Sequence, residues 1–426
     1  MIAIFVFAVM IGLMTINVPI AICTGLATLV GIVTAHGMPP MVMVQRMFVG
    51  LDTFTLIAVP LFIMAGRLMA LGGLTRDLIN VSKVLVGFMK GGLAYINIVA
   101  SMLFAGITGS AASDTSSIGG ILIPAMVNKG YDKDFSVAVT ATSSTIGVMI
   151  PPSIPMVVYG VAANTSIGKL FLGGVVPGIM VGIVLLIVSA IITKKRNYPR
   201  DESFNFHDSV LLVIKGIPAM MSIIIILGGI IVGWFTATEA AGVAVVYSLF
   251  LGMFYYRELK LSDMPTVISD VAITTGQVAL MIATASALGY LFSHQKVPEM
   301  IGTMILGITT NKFLVLLLIN ALLLFVGTWL DLSPAVIIFA PIFLPIVVAM
   351  GMDPVHFGVI MVVNLAIGLF TPPVGVCLFV ACGIAKVSIA STVKAFIPFF
   401  LAMVVVLMLI TYIEPLVMFL PNMLMP

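Results

Sequence analysis

The sequence predicts an all-α polytopic membrane protein made of two copies of one unit, each holding a re-entrant hairpin and a broken helix. Three observations predict it: a composition too apolar for a water-facing surface, a self-similarity at a fixed offset, and a Pro-Pro pair inside an apolar segment of each copy. Hydrophobic residues make up 61% of the chain and charged residues 8%, with mean hydropathy +1.28. A soluble domain carries about 25% charged residues, so most of this surface must face lipid or other helices. The 426 residues accommodate about ten or more spans of about 20 residues each.

In chain order, the first apolar run covers 2–33. It lacks a basic n-region and exceeds a 7–15-residue h-region. It is therefore expected to be a retained span, long or kinked, with Asn17 and Pro19 as the kink. A second span covers 53–72. Residues 74–90 alternate Leu74, Leu78, Val81, Val84 and Leu85 with Arg76, Asp77, Lys83 and Lys90, the pattern of a helix lying along the interface. A hairpin over 92–128, with a first arm near 92–107, and a broken helix over 137–160 follow, then a span at 174–193. These complete a first unit, 1–193. A polar linker, 194–208, carries Lys194, Lys195, Arg196 and Arg200, and its positive charge places it in the cytoplasm. The second unit, 209–426, holds spans at 210–233, 237–256 and 272–292, a hairpin over 313–350, a broken helix over 356–383 and a last span at 395–420.

The two units are joined by an offset of 221 residues, which carries Pro124 onto Pro345. Leu103, Phe104 and Gly106 then fall on Leu324, Phe325 and Gly327, Gly130 on Gly351, and Asp132 on Asp353. Ile146, Gly147, Pro151 and Pro152 fall on Ile367, Gly368, Pro372 and Pro373, with no gap across 103–152. Membrane repeats of this kind place a substrate site between the copies near the midplane. If each copy crosses an odd number of times, the copies are inverted and both termini are periplasmic.

A Pro-Pro pair inside an apolar segment frees backbone groups that lipid cannot satisfy, so the broken backbone must be covered by protein or line a cavity. Just upstream of each break lies a small, hydroxyl-rich stretch with one acid: Gly106–Gly119 with Asp114, and Gly327–Pro334 with Asp331. Each sits between apolar arms too short to be full spans, as a hairpin tip at membrane depth would. Helix N-termini at a break suit a carboxylate; unwound carbonyls, hydroxyls and an acid are hard oxygen ligands that suit sodium. The expectation is two similar cation sites. The first would combine the Gly106–Asp114 tip, with Ser110 and Ser113, and the break from Ser143 through Gly147 to Pro151. The second would combine Gly327, Thr328 and Asp331 with the break from Asn364 through Gly368 and Thr371 to Pro372.

Other polar residues read as structural. Glu239 is expected to start a helix after Thr238, and Arg67 to snorkel to a headgroup, the alternative being an acidic partner. Asn97, Asn164 and Gln277 suit interhelical hydrogen bonds. Cys23, Cys377 and Cys382 read as small buried hydrophobes, the 30 methionines as apolar filler, and the four scattered histidines make no metal site. The net charge of +3 and the lack of a basic patch exclude nucleic acid. No Walker sequence and no nucleophile elbow is present, so the chain is expected to be neither an ATPase nor another enzyme.

The stretches Thr108–Gly119, Gly147–Ser153, Phe235–Gly242, Pro60–Gly66 and Thr371–Pro373 together resemble the large membrane subunit of tripartite ATP-independent periplasmic (TRAP) transporters, from end to end. The resemblance implies an elevator transporter of the bacterial inner membrane, with a scaffold and a mobile domain built from inverted repeats. It implies uptake of an organic acid, such as a C4-dicarboxylate or a sialic acid, driven by two or more sodium ions. A soluble periplasmic substrate-binding protein would deliver the substrate, and a separate small four-helix membrane subunit would bind the scaffold. By family pattern Thr108, Ser110, Asp114 and Ser153 would lie near the substrate, with sodium held by the two hairpin-and-break pairs. The alternative from the residues alone is a solute channel with two re-entrant hairpins.

Overall fold

Apolar runs in lipid become helices because only the helix pairs every backbone amide within one segment. The structure, a computed structural model, describes residues 2–16, 18–35, 38–199, 206–308 and 311–425. The first half contains α1 (Ile2–Thr15), α2 (Ile20–Thr34), α3 (Met41–Leu51), α4 (Ala58–Leu71), α5 (Leu74–Val86), α6 (Gly92–Thr108), α7 (Ala111–Asn128), α8 (Lys133–Ser143), α9 (Ile154–Ala162) and α10 (Ile167–Arg196). The second contains α11 (Phe206–Ile231), α12 (Ala237–Phe250), α13 (Met264–His294), α14 (Val297–Ile308), α15 (Lys312–Gly327), α16 (Leu332–Ala349), α17 (Pro354–Gly368), α18 (Val376–Ala385), α19 (Ile389–Tyr412) and α20 (Pro415–Leu424). Seven helical stretches among the described residues are long and apolar enough to cross a membrane.

Several expectations need correction. The apolar run 2–33 is two helices, α1 and α2, packed on each other instead of one long span. Pro19 caps α2; Asn17, the other half of the expected kink, lies outside the described residues. The run 395–420 likewise divides, between α19 and α20 at Ile413–Glu414. Helices α3 and α14 have no counterpart among the predicted spans. In the linker, Lys194, Lys195 and Arg196 end α10, while residues 200–205, Arg200 included, lie outside the described residues, as does His36. The expected Glu239 helix start is present, but its cap is Thr236: the Thr236 Oγ1 accepts from the Glu239 amide at 3.3 Å and the Glu239 carboxylate accepts from the Thr236 amide at 2.8 Å.

The offset of 221 residues recurs in the helix boundaries. Shifted by it, α7 lands on 332–349, the bounds of α16. In the same way α8 begins where α17 begins, α6 overlies α15 to within two residues, α9 overlies α18, and α10 overlies the whole of α19 and reaches α20. The two halves also exchange contacts. Helix α7 packs on α18 and, at the equivalent place, α16 packs on α9; α8 packs on α19 while α17 packs on α10. One difference stands out: α6 lies along α7, whereas α15 packs on α17 and scarcely touches α16.

Around this exchanged core stand the remaining helices. Helix α13 packs on α2, α3 and α4, α4 on α12, and α11 on α5 and α12. The amphipathic α5 buries Leu74, Leu78, Ile79 and Val81 against α6 and α11, which leaves its charged residues on the other face. At the end of the core far from the tips, Arg196 of α10 holds the α7–α8 turn. Its Nη1 donates to Asp132 Oδ2 at 2.7 Å and Asp134 Oδ1 at 2.9 Å, and its Nη2 to Asp134 Oδ2 at 3.0 Å. The Arg196 hydrogen bond holds the Asp134 carboxyl below its ordinary value.

Candidate functional site

The first tip turns at Gly109, φ +62°, between α6 and α7. A side chain there is excluded twice: the conformation favours glycine, and a Cβ would stand 2.6 Å from the Pro152 carbonyl oxygen. The tip thus rests directly on the break, where the Ile154 amide donates to the Gly109 carbonyl at 3.3 Å. Ser110 caps α7. One turn in, Asp114 is fully buried. Thr108 Oγ1 donates to its Oδ1, while its Oδ2 has no hydrogen-bond partner and faces Gly147 so closely that any Cβ on Gly147 would collide with it.

The break itself runs from α8 through tight turns at Ser144–Val148 to the cis Pro151-Pro152 pair. Ser153 caps α9, accepting from the Met156 amide at 3.3 Å and donating to the Val148 carbonyl at 2.6 Å. Ser143 joins a buried polar chain: Ser101 donates to Ser143 at 3.0 Å, Ser143 to Asn97 Oδ1 at 3.1 Å, and Asn97 to Thr140 at 2.7 Å. Asn97 therefore makes the interhelical bonds expected of it.

The second half repeats the plan with different groups. The Val374 amide donates to the Thr328 carbonyl at 3.3 Å, tying break to tip beside the cis Pro372-Pro373 pair. Thr328 and Thr371 hydroxyls donate to the carbonyls of Phe325 and Ile367 at 2.8 and 2.6 Å. Gly327 and Gly368 meet backbone to backbone, with no room for a Cβ on Gly368. At the position equivalent to Ser143, Asn364 Nδ2 donates to Asn320 Oδ1 at 2.7 Å, and Asn320 Nδ2 to Thr411 at 3.1 Å. Asn364 Oδ1 is buried without a partner.

The two acids are not equivalents. At the repeat offset Asp331 falls on Ser110, both being helix caps, and Asp114 falls on Ala335. Asp331 is open to the space beside it, whereas Asp114 is sealed.

That space is a cavity of about 510 Å³. One wall is made by both tips, with Thr108, Ser110, Ser113, Asp331 and Ser333, and by the breaks at Val148, Ile154 and Leu369. The facing wall is α4 and α13, with Ile63, Arg67, Thr274, Gln277 and Met281. Thr108, Ser110, Ser113 and Asp331 are thus brought together around one volume. Asp114 and Gly147 stand behind the wall in contact with each other. Ser143, Ser153 and Thr371 sit within the breaks and are not wall residues. Gly106 faces Ile223 of α11, away from the break, while its equivalent Gly327 meets Gly368.

Sequence reasoning missed the facing wall. Arg67 lines the cavity and has the acidic partner that was the alternative for it, its Nη2 standing 4.0 Å from Asp270 Oδ2. Gln277 also lines the cavity. A signal was present, since Asp270, Thr274 and Gln277 recur at i, i+4 and i+7, one face of an otherwise apolar helix. Asn164 lies in the turn after α9 with φ +49°, where a short polar side chain tolerates the left-handed conformation. No cluster of three or more His, Cys, Asp or Glu side chains is present among the described residues.

Residues 7–416 match the family model of the tripartite ATP-independent periplasmic transporter, DctM component. An isethionate TRAP transporter permease of Oleidesulfovibrio alaskensis is 44% identical over 95% of this chain and 64% of its own length. A sialic acid TRAP transporter large permease of Vibrio cholerae is 38% identical over 89% of this chain and 88% of its own. Such relatives are named as permeases, not enzymes. Among solved structures, the YdaH transporter of Alcanivorax borkumensis superposes with a TM-score of 0.66 over 87% of this chain and 86% of that one, at 12% identity, a likeness of fold alone. A cavity between two repeated tip-and-break units, in a chain matched almost end to end by one family, leads to one conclusion: the protein belongs to the DctM component family of the tripartite ATP-independent periplasmic transporters.

Proposed function

We propose that this chain is the large membrane subunit of a sodium-coupled transporter that takes up an organic acid, of the sialic acid or C4-dicarboxylate kind, across the bacterial inner membrane. The observation that carries the proposal is the cavity of about 510 Å³ walled on one side by both tips and breaks and on the other by α4 and α13. In this reading α6–α9 and α15–α18 are two re-entrant hairpins and two broken helices of inverted repeats, spanning about 1–193 and 209–426. They move together, elevator-fashion, against the remaining helices and carry the cavity from one side of the membrane to the other. A periplasmic binding protein delivers the acid, and a small membrane subunit holds the scaffold.

Sodium is the co-substrate, and two buried oxygens support it. An unpaired buried carboxylate oxygen costs several kcal/mol, and an unpaired amide oxygen about 1–3 kcal/mol. Asp114 Oδ2 and Asn364 Oδ1, one in each half, lack protein partners, and a small hard cation satisfies such atoms. Asp114 with the Thr108–Ser113 tip and the Ser143–Gly147 break form the first site. Asn364 with the Gly327–Asp331 tip and the Gly368–Thr371 break form the second. An acid held at the tips is then neutralised by ions its own binding places beside it, which couples the two fluxes.

The test is uptake in proteoliposomes holding the chain with its small subunit and binding protein. Labelled sialic acid and succinate are offered with and without an inward sodium gradient. Uptake that needs both sodium and the binding protein is expected; solute flux that ignores both would overturn the proposal and make the protein a channel.

A further inference from the structure

The charges on the cavity wall indicate which acids fit. Arg67 is the only lysine, arginine or histidine among the described residues that line it. It follows Gly66, where α4 comes so near the first tip that a Cβ on Gly66 would stand 3.1 Å from the Thr108 carbonyl oxygen. Arg67 itself lines the same cavity as Thr108, Ser110 and Ser113 of that tip. Its approach to Asp270, 4.0 Å between half-exposed side chains, is longer than a hydrogen bond of about 2.7–3.2 Å. Arg67 thus keeps donors in a planar fork that matches an acidic group bidentately.

The tip wall has the opposite character. Ser110, Ser113 and Ser116 offer hydroxyls, and Asp331 offers a carboxylate. A second carboxylate on a ligand held at Arg67 would meet Asp331 and no cationic side chain. A sodium ion taken up by Asp331 would cancel that charge and leave no net attraction. Ligand hydroxyls, in contrast, can donate to Asp331 and exchange hydrogen bonds with the serines.

We propose that Arg67 is the residue that reads the substrate's acidic group, and that the cavity selects organic monoacids bearing hydroxyl groups, carboxylic or sulfonic, over dicarboxylates. Asp270 is a positioning residue that competes for the guanidinium and is displaced by the ligand. This rests on the organic-acid transport proposed above and narrows its substrate class.

Thermal unfolding tests it directly. The full chain is purified from membranes with whatever membrane subunit accompanies it, and titrated at constant sodium with sialic acid, gluconate, isethionate, succinate and malate. The hydroxylated monoacids are expected to stabilise the protein at lower concentration than either dicarboxylate. Arg67→Gln is expected to weaken their binding about tenfold or more while keeping the unliganded melting temperature and the stabilisation by sodium. Arg67→Lys is expected to recover part of the affinity, and Asp270→Asn to tighten it severalfold. Unchanged affinity in Arg67→Gln, dicarboxylates binding as tightly as the monoacids, or no acid stabilising the unsubstituted protein would each overturn the inference. If Arg67→Gln does not fold, Asp270→Asn decides: affinity unchanged or weakened overturns it. Failure of sodium coupling would appear instead as sodium-independent uptake, with these affinity differences intact.

Discussion

Asp114 and Gly147 meet at the proposed first ion site: a sealed carboxylate with one bonded and one free oxygen, facing a glycine that leaves room for it. A methyl group at Gly147 occupies the position of Asp114 Oδ2. Gly147→Ala should therefore raise the sodium concentration for half-maximal uptake about ten- to hundredfold, the equivalent of losing one charged ligand. Sodium titration of initial uptake rates measures this, and an unchanged half-saturation would remove Asp114 from the ion site. At the opposite end of the core, the Asp134 carboxyl is held low by the Arg196 hydrogen bond. A group whose folded value is depressed contributes stability above its unfolded value, about 3.9 for aspartate, and loses it as pH falls through the lower folded value. The Asp134–Arg196 pair should therefore keep its charges between about pH 5 and 8. Arg196→Ala should lower the melting temperature equally across that window, a difference that fades only in stronger acid. Melting curves at a series of pH values check it.

At the scale of the element, breaks and caps decide the architecture. Asn320 links α15 to both α17 and α19. Asn320→Leu removes the side-chain acceptor of the Asn364 amide and the bond to Thr411, while the residue-320 carbonyl still accepts from Asn364 at 2.9 Å, and should cost about 1 kcal/mol, read as a lower melting temperature. Thr236→Ala, which removes the cap of α12, should cost about 1 kcal/mol. Elements with polar punctuation were legible from the sequence: the cap at Glu239, both tips, and both Pro-Pro breaks at matching positions. Apolar punctuation was not. The turn between α1 and α2 and the break at Ile413–Glu414 lie within apolar runs, where hydropathy alone does not separate one long span from two shorter helices. Arg67 kept two readings, a headgroup or an acidic partner, for a related reason. Snorkelling and lining a cavity both put a cation on a mostly apolar helix, and only the position of α13 distinguishes them. The stripe Asp270, Thr274, Gln277 was readable at helical spacing, but its partner wall was not.

For the whole molecule, the exchange of helices between halves is the decisive feature. Because α7 rests on α18, and α16 on α9, neither tip can shift without the break of the other half. The two proposed ion sites and the cavity between them are thus mechanically one body, which gives the coupling of sodium to substrate a structural basis. In the proposed elevator motion, one of the contacts that this body must break lies between α13 and α16. There a Cβ built on Gly289 would stand 3.7 Å from Pro341 Cβ, a separation within the range of about 3.5–4.5 Å that a disulfide spans. The most direct measurement is therefore uptake by Gly289→Cys/Pro341→Cys, oxidised and then reduced, in proteoliposomes with a sodium gradient. Oxidation is expected to stop uptake and reduction to restore it, with each single variant unaffected by either treatment. Full sodium-driven uptake with the cross-link closed would contradict a moving body that carries the cavity past α13.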